Sequence, residues 1–170
     1  MVNNTQILVG IVIKTDKVRE NDIRVRVLSA EGLMTFTATG AAKPTAKLKN
    51  AVQIFTLAEF SVIGHRLIGA HVLQSNHAIT KDIKRYYLAC AIVEVVAACY
   101  GTNEVGNGFL LTVKALDALN VDYADTRAIF TEYFSGLLLE LGYGCEDDED
   151  ISSAFIRNLD IKIPNTKFFL

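Results

Sequence analysis

The spacing of apolar residues changes once along this chain, near Ser75, and that switch limits what it can fold into. Before it, apolar and polar residues alternate in short runs. Ile23, Val25 and Val27 interleave with Asp22, Arg24 and Arg26; Met34, Phe36 and Ala38 with Thr35, Thr37 and Thr39. Ala58, Phe60 and Val62 interleave with Glu59 and Ser61, and Ile68, Ala70 and Val72 with Gly69 and His71. An earlier run sets Ile7, Val9, Ile11 and Ile13 on one face, although Leu8 and Val12 make its other face apolar too. Alternation with β-branched residues is the signature of a strand, because successive side chains point to opposite faces.

Five strands in about 75 residues suit a small closed barrel, since closure removes exposed sheet edges. Glu31-Gly32 marks a hairpin turn between the second and third strands. The connection from Gly40 to Ala51 is longer, contains Pro44 and leaves room for a short helical turn. Five strands with the long connection after the third is the OB-fold arrangement; an SH3-like barrel is the near alternative.

From Thr80 the spacing becomes helical. Thr80 reads as the N-cap of a helix over Lys81–Tyr100 that stops at Gly101. A second helix is expected over Val105–Leu119, its start loosened by Gly106-Asn107-Gly108, and a third over Asp125–Leu141. A short fourth is expected over Ser152–Leu159, after a solvated loop at Glu146–Asp150. No proline occurs between Pro44 and Pro164 to break these helices. The expected class is therefore α+β, with a five-stranded OB-fold barrel over residues 1–78 and an α-helical domain over 79–170. No Gly-, Ser- or Pro-rich linker separates them, so the halves are expected to pack together.

The nearly apolar stretch Tyr86–Tyr100 contains Glu94 and is shorter than the roughly 20 residues a bilayer span needs. It reads as a buried helix. The start of the chain lacks the pattern of a signal peptide, so a cytoplasmic protein with no membrane contact is expected.

The net charge of −2 conceals a strong asymmetry. Residues 1–86 hold 12 Lys and Arg against 6 Asp and Glu, whereas residues 87–170 hold 5 against 13. One half is suited to a polyanion and the other is not. On the strand reading, Lys14, Lys17 and Arg19 lie in or beside the loop between strands one and two. Arg24 and Arg26 face outward from strand two, and Arg66 lies between strands four and five. Lys43, Lys47 and Lys49 form a basic loop after Gly40. OB-folds bind oligonucleotides with the face of strands two and three and with these loops, and cations there would neutralise phosphates and release counterions. A solvated surface with some of these residues paired to Asp16, Glu20 and Asp22 is the bland alternative. Phe36 and Phe60 follow the inward pattern, and no outward aromatic stands on strands two and three. That favours backbone contact over base stacking.

Other chemistries lack support. Cys90, Cys99 and Cys145 form no C-x-x-C pair, and His65, His71 and His77 have no companion ligands, so no metal and no cofactor is expected. Cys90 and Cys99 read as small hydrophobes in a helix. No nucleophile–base–orienter set stands out, so the chain is not read as an enzyme. An OB-fold RNA binder and a protein-binding adaptor are the competing functions.

Several segments occur together in a familiar order. Gly10-Ile11-Val12-Ile13-Lys14 precedes Glu20-Asn21-Asp22 and Leu28-Ser29-Ala30-Glu31-Gly32. Ala38-Thr39-Gly40-Ala41-Ala42-Lys43-Pro44, Lys47-Leu48-Lys49 and Leu57-Ala58-Glu59-Phe60 follow. The helical half opens Asp82-Ile83-Lys84-Arg85-Tyr86-Tyr87, with Glu94 further along. This series resembles the RecO family of bacterial DNA-repair proteins, well from residue 7 to about 100 and loosely to Leu141-Gly142-Tyr143. The resemblance implies a recombination mediator that binds single- and double-stranded DNA and anneals complementary strands. It implies RecR and the single-strand-binding protein as partners, RecA loading as the outcome, and association with the nucleoid during repair. Lys14, Lys17, Arg19, Arg24, Arg26, Lys43, Lys47, Lys49 and Arg66 are the candidate DNA contacts. Lys81, Lys84 and Arg85, beside Tyr87 and Leu88, are the candidate contacts for the acidic tail of a single-strand-binding protein. Many members carry a four-cysteine zinc module after the segment matching Gly142-Tyr143. Here only Cys145 follows, and the chain resembles a compact form without that module.

Overall fold

The computed structural model describes residues 4–101, 105–146 and 149–170. The chain divides into two compact units, with the division between Ser75 and Asn76.

The first unit is a closed barrel of β1 (Gln6–Lys17), β2 (Ile23–Ser29), β3 (Gly32–Ala38), β4 (Leu57–Ile63) and β5 (Arg66–Gln74). The strand order is β1-β2-β3-β5-β4, with β1 closing on β4. All neighbours are antiparallel except β3 and β5, which meet in parallel. This is the OB-fold expected from the strand count and the long third connection. Val25 and Val27, Phe36 and Ala38, and Ala58, Phe60 and Val62 fill the interior, as their alternation requires.

Two strands depart from simple alternation. In β1 the interior is lined by Leu8 and Val12, while Ile7 and Val9 are 67% and 41% exposed. Ile11 and Ile13 are buried as well, so both faces are apolar and period two alone could not choose the inward one. The pairing of β1 with β2 also skips Ile13, since Val12 opposes Val27 and Lys14 opposes Arg26. Such a bulge reverses the side on which later residues emerge. The second departure is at Ile68, which was expected inside. Ser61 pairs with Gly69 and Val62 with Leu67, leaving Ile68 as the extra residue. Leu67 is therefore buried and Ile68 half exposed.

The β3–β4 connection forms successive turns rather than a regular helix. It still does what a capping helix would do. Ala41, Ala51 and Val52 belong to the barrel core, and Leu48 packs on it. The hairpin between β2 and β3 turns at Ala30-Glu31, one residue earlier than expected, with Ser29 paired to Gly32. The Ser29 hydroxyl donates to the Gly32 carbonyl at 3.1 Å and accepts from the Glu31 N–H at 3.2 Å.

The second unit holds α1 (Ile83–Tyr100), α2 (Asn107–Leu119), α3 (Thr126–Glu140) and α4 (Ile151–Leu159). The N-cap of α1 is Asp82, not Thr80. The Asp82 carboxylate accepts the Arg85 N–H at 2.9 Å, while the Thr80 hydroxyl donates to His77 within a preceding 3₁₀ turn. Asp125 and Asp150 cap α3 and α4 in the same way. Helix α1 is buried around most of its circumference, with Leu88, Ala89, Ala91, Ile92, Val93, Val95 and Val96 inside and Glu94 exposed. Phe130, Tyr133, Phe134 and Phe155 form an aromatic cluster on α3 and α4. The last residues dock on the helices, Phe168 stacking on Tyr87 with ring centres 4.3 Å apart and Phe169 lying beside Phe130.

The cysteines are unpaired. Burial pushes the Cys99 thiol up to about 11 and raises that of Cys90. The acidic run is more than a solvated loop. Asp147 and Asp148 lie outside the described residues, but Glu149 pairs with Arg157 at 2.7 Å, which holds its carboxyl down at about 2. No helix among the described residues is long and apolar enough to cross a membrane.

Gly10 marks the closest approach of β1 to β2. A Cβ built on it would lie 2.3 Å from Val27 Cγ1 and 2.8 Å from the Leu28 carbonyl oxygen. Overpacking a core position costs about 1–3 kcal/mol. Gly10→Ala should therefore lower the denaturant midpoint by an amount equivalent to about 1–3 kcal/mol; an unchanged midpoint would show that β1 and β2 are not so closely apposed.

Candidate nucleic-acid interface

The barrel core fixes which way the basic residues of β2 point. Val25 and Val27 are fully buried, so Arg24 and Arg26 lie on the outer face. The register then assembles residues from neighbouring strands. Arg26 lies between Lys14 of β1 and Thr35 of β3. Arg24 lies between Asp16 and Thr37, and Thr37 in turn pairs with Arg66 at the start of β5. Strands stand about 4.8 Å apart, so each row is a close-set line of side chains across the sheet. Lys14, Arg24, Arg26 and Arg66 thus share one face, interleaved with the hydroxyls of Thr35 and Thr37. Arg66 was expected in the β4–β5 turn; it is instead the first residue of β5, and this puts it in line with Arg24.

The ion pairs of the bland reading are mostly absent. Lys14 Nζ lies 4.0 Å from Asp16 Oδ1. Among the described residues, Lys17, Arg19, Arg24, Arg26 and Arg66 make no ion pair. Asp22 acts within the fold instead. Its carboxylate accepts the Gly40 N–H at 2.9 Å, and the Asn21 carbonyl accepts the Ala42 N–H at 3.0 Å. These two bonds tie the β1–β2 loop to the start of the β3–β4 connection. They bring the segment carrying Lys17 and Arg19 up to the one that continues into Lys43. Lys43, Lys47 and Lys49 are exposed, but the last two lie on the turns beyond and join neither cross-strand row.

Thr35 and Thr37 were not among the residues expected to belong to this face. Their outward position was legible from alternation; their place beside the arginines needed the register. His71 faces outward on β5, opposite Glu59. No group of His, Cys, Asp and Glu able to hold a metal occurs among the described residues.

Residues 5–70 match the family described as recombination protein O, N terminal. Those residues are similar to that N-terminal domain and make up less than half of the chain. The match runs from the start of β1 into β5 and so contains both cross-strand rows. The match agrees with the RecO resemblance over the barrel. No curated protein matches the chain significantly.

The candidate partner site on α1 lies outside the matched residues, and the structure contradicts part of it. Arg85 is 8% exposed. Its guanidinium donates to the Val121 carbonyl at 2.7 Å and the Leu119 carbonyl at 3.5 Å, and lies 3.9 and 3.7 Å from Asp82 and Asp122. It closes the α2–α3 loop and is not available to a ligand. Leu88 is fully buried. Tyr87 is half-buried under Phe168, while Lys81 and Lys84 are exposed. The carboxylate partners of Arg85 are largely solvent-exposed, so what its removal costs is chiefly the charged donor's bond to the Val121 carbonyl, about 1.5–3 kcal/mol. Arg85→Ala should therefore destabilise the helical unit by about 1.5–3 kcal/mol in chemical denaturation, and Lys84→Ala by less than about 0.5; equal small effects would contradict the role given to Arg85.

Proposed function

We propose that this chain is a DNA-binding recombination mediator whose barrel holds the phosphate backbone. One observation carries the reading: the register of an OB-fold of the RecO type aligns Lys14, Arg24, Arg26 and Arg66 on the face of β1, β2, β3 and the start of β5, with Asp16 as the single acidic neighbour in the two rows. Cations on that face neutralise phosphates on one strand and lower its repulsion toward a complementary strand, which is the physical requirement for annealing. Both single- and double-stranded DNA meet that requirement, since the contacts are to backbone and carry no sequence. Lys17 and Arg19, with Lys43, extend the face at one end; Lys47 and Lys49 add charge further out.

The reading assigns DNA to residues 1–78 and protein contacts to residues 79–170. RecR and the single-strand-binding protein are the partners it implies, with RecA loading downstream in the cytoplasm. An acidic protein tail would meet Lys81 and Lys84. The chemistry is binding and positioning, with no bond made or broken.

About six phosphate contacts give a slope of roughly −4 for log K against log[salt] on single strands. Replacing Arg24 and Arg26 together by Ala should weaken binding to unrelated sequences alike and flatten that slope by roughly 1 to 1.5. Folding should be little affected, because Arg24 is exposed, Arg26 half-buried, and neither makes an ion pair among the described residues. A folded double variant with unchanged affinity and slope would remove the barrel face from the account.

A further inference from the structure

The outer edge of β3 is open over its first half. Thr37 pairs with Arg66, and its N–H donates to the His65 carbonyl at 2.8 Å. Alternate residues of a strand direct their backbone groups to the same side. The N–H and C=O of Leu33 and Thr35 therefore leave by that edge too. Among the described residues the ladder to β5 contains no further pair, and these groups have no backbone partner there. Along the edge runs a groove lined by Ile7, Met34, Thr35, Phe36, Gly64 and His65, with Glu31 at its hairpin end. Its walls are mostly apolar, and Ile7 is 67% exposed.

Backbone donors and acceptors beside apolar walls call for a ligand that is flat and apolar on its face and amide-like on its edge. A nucleobase has that chemistry. Thr35 belongs both to the groove and to the row Lys14–Arg26–Thr35, and Arg66 directly follows His65, so the groove opens at the border of the cationic face. We propose that this groove receives one unpaired base of a DNA strand whose phosphates lie on the Lys14, Arg24, Arg26 and Arg66 face. The base would meet the side chains of Ile7 and His65 and the free edge of β3. The inference rests on the backbone-binding reading and adds a base contact to it. A base held in a duplex cannot enter, so the groove favours single strands. An extended peptide added to the same edge is the competing occupant; the cationic border favours the polyanion.

The test compares a dT oligonucleotide with an abasic sugar–phosphate strand of the same length, on the full chain and on two double variants. One is Ile7→Ala with His65→Ala, both exposed positions; the other is Arg24→Ala with Arg26→Ala. The unaltered chain should bind the dT strand at least about fivefold tighter, the low end of what one base contact contributes. The Ile7/His65 variant should lose that ratio and keep the salt slope, while the Arg24/Arg26 variant should lose affinity for both strands. Equal affinity of the unaltered chain for the two strands overturns the base subsite and leaves the backbone face standing. A ratio that survives in the folded Ile7/His65 variant also overturns it. If neither strand binds, the backbone reading falls first and the subsite with it.

Discussion

The barrel core's hold on Val25 and Val27 is the constraint from which the rest of the site follows. Both are fully buried, and a strand alternates strictly, so Arg24 and Arg26 have no inward option. Slipping β2 by one residue would drive two guanidinium groups into an apolar interior, at a cost far above the stability of a small domain. The cationic face is thus held in place by hydrophobic packing behind it, with no dedicated scaffold. Its composition follows the same logic: Thr35 and Thr37 lie outward because Phe36 and Ala38 fill the core from β3.

Two bulges and one glycine turn that sheet into a barrel. The extra residue at Ile13 shifts the pairing, so that Lys14 and Asp16 emerge on the same side as Arg26 and Arg24. The extra residue at Ile68 lets Leu67 enter the core while β5 continues with Ala70 and Val72 packed inward. Gly10 allows β1 and β2 to approach where a methyl group would collide with Val27. The tie from Asp22 to Gly40 then holds the β1–β2 loop at one end of the face. The charge of Asp22 is used within the fold and does not silence a neighbouring arginine.

Much of this was legible in the sequence, for identifiable reasons. In β2, β3 and β4 the central residues alternate between an apolar and a polar face, so their inward residues followed from alternation alone; Leu28 and Leu33, buried at the hairpin end of the arginine face, did not. The outward direction of Arg24 and Arg26 followed from the same alternation. In β1 both faces are apolar, Leu8 and Val12 against Ile7, Val9 and Ile11, so the inward face stayed open in the sequence and depends on pairing with β2 and β4. Ile68 was misread because a bulge leaves no mark in hydrophobic period. Arg85 looked like a surface charge at a helix start, yet its partners are carbonyls on a loop more than thirty residues away, which local sequence cannot reveal. Thr80 was read as the cap of α1, but a 3₁₀ turn over His77–Lys81 takes it up and leaves Asp82 to cap the helix. The alignment of Arg66 with Arg24 required the parallel meeting of β3 and β5, the least local contact in the barrel.

The central claim is that DNA lies across β1, β2 and β3, on the side set by the valines. Backbone amide shifts of the full chain, followed by NMR as a dT oligonucleotide is added, test this directly. The account predicts the largest changes at Lys14, Arg24, Arg26, Thr35, Thr37 and Arg66 and in the β1–β2 loop. It predicts little change at Glu59 and His71, paired on the outer face of β4 and β5, or along α2 and α3. Shifts concentrated on the helices, with Arg24 and Thr35 unmoved at saturation, would contradict it.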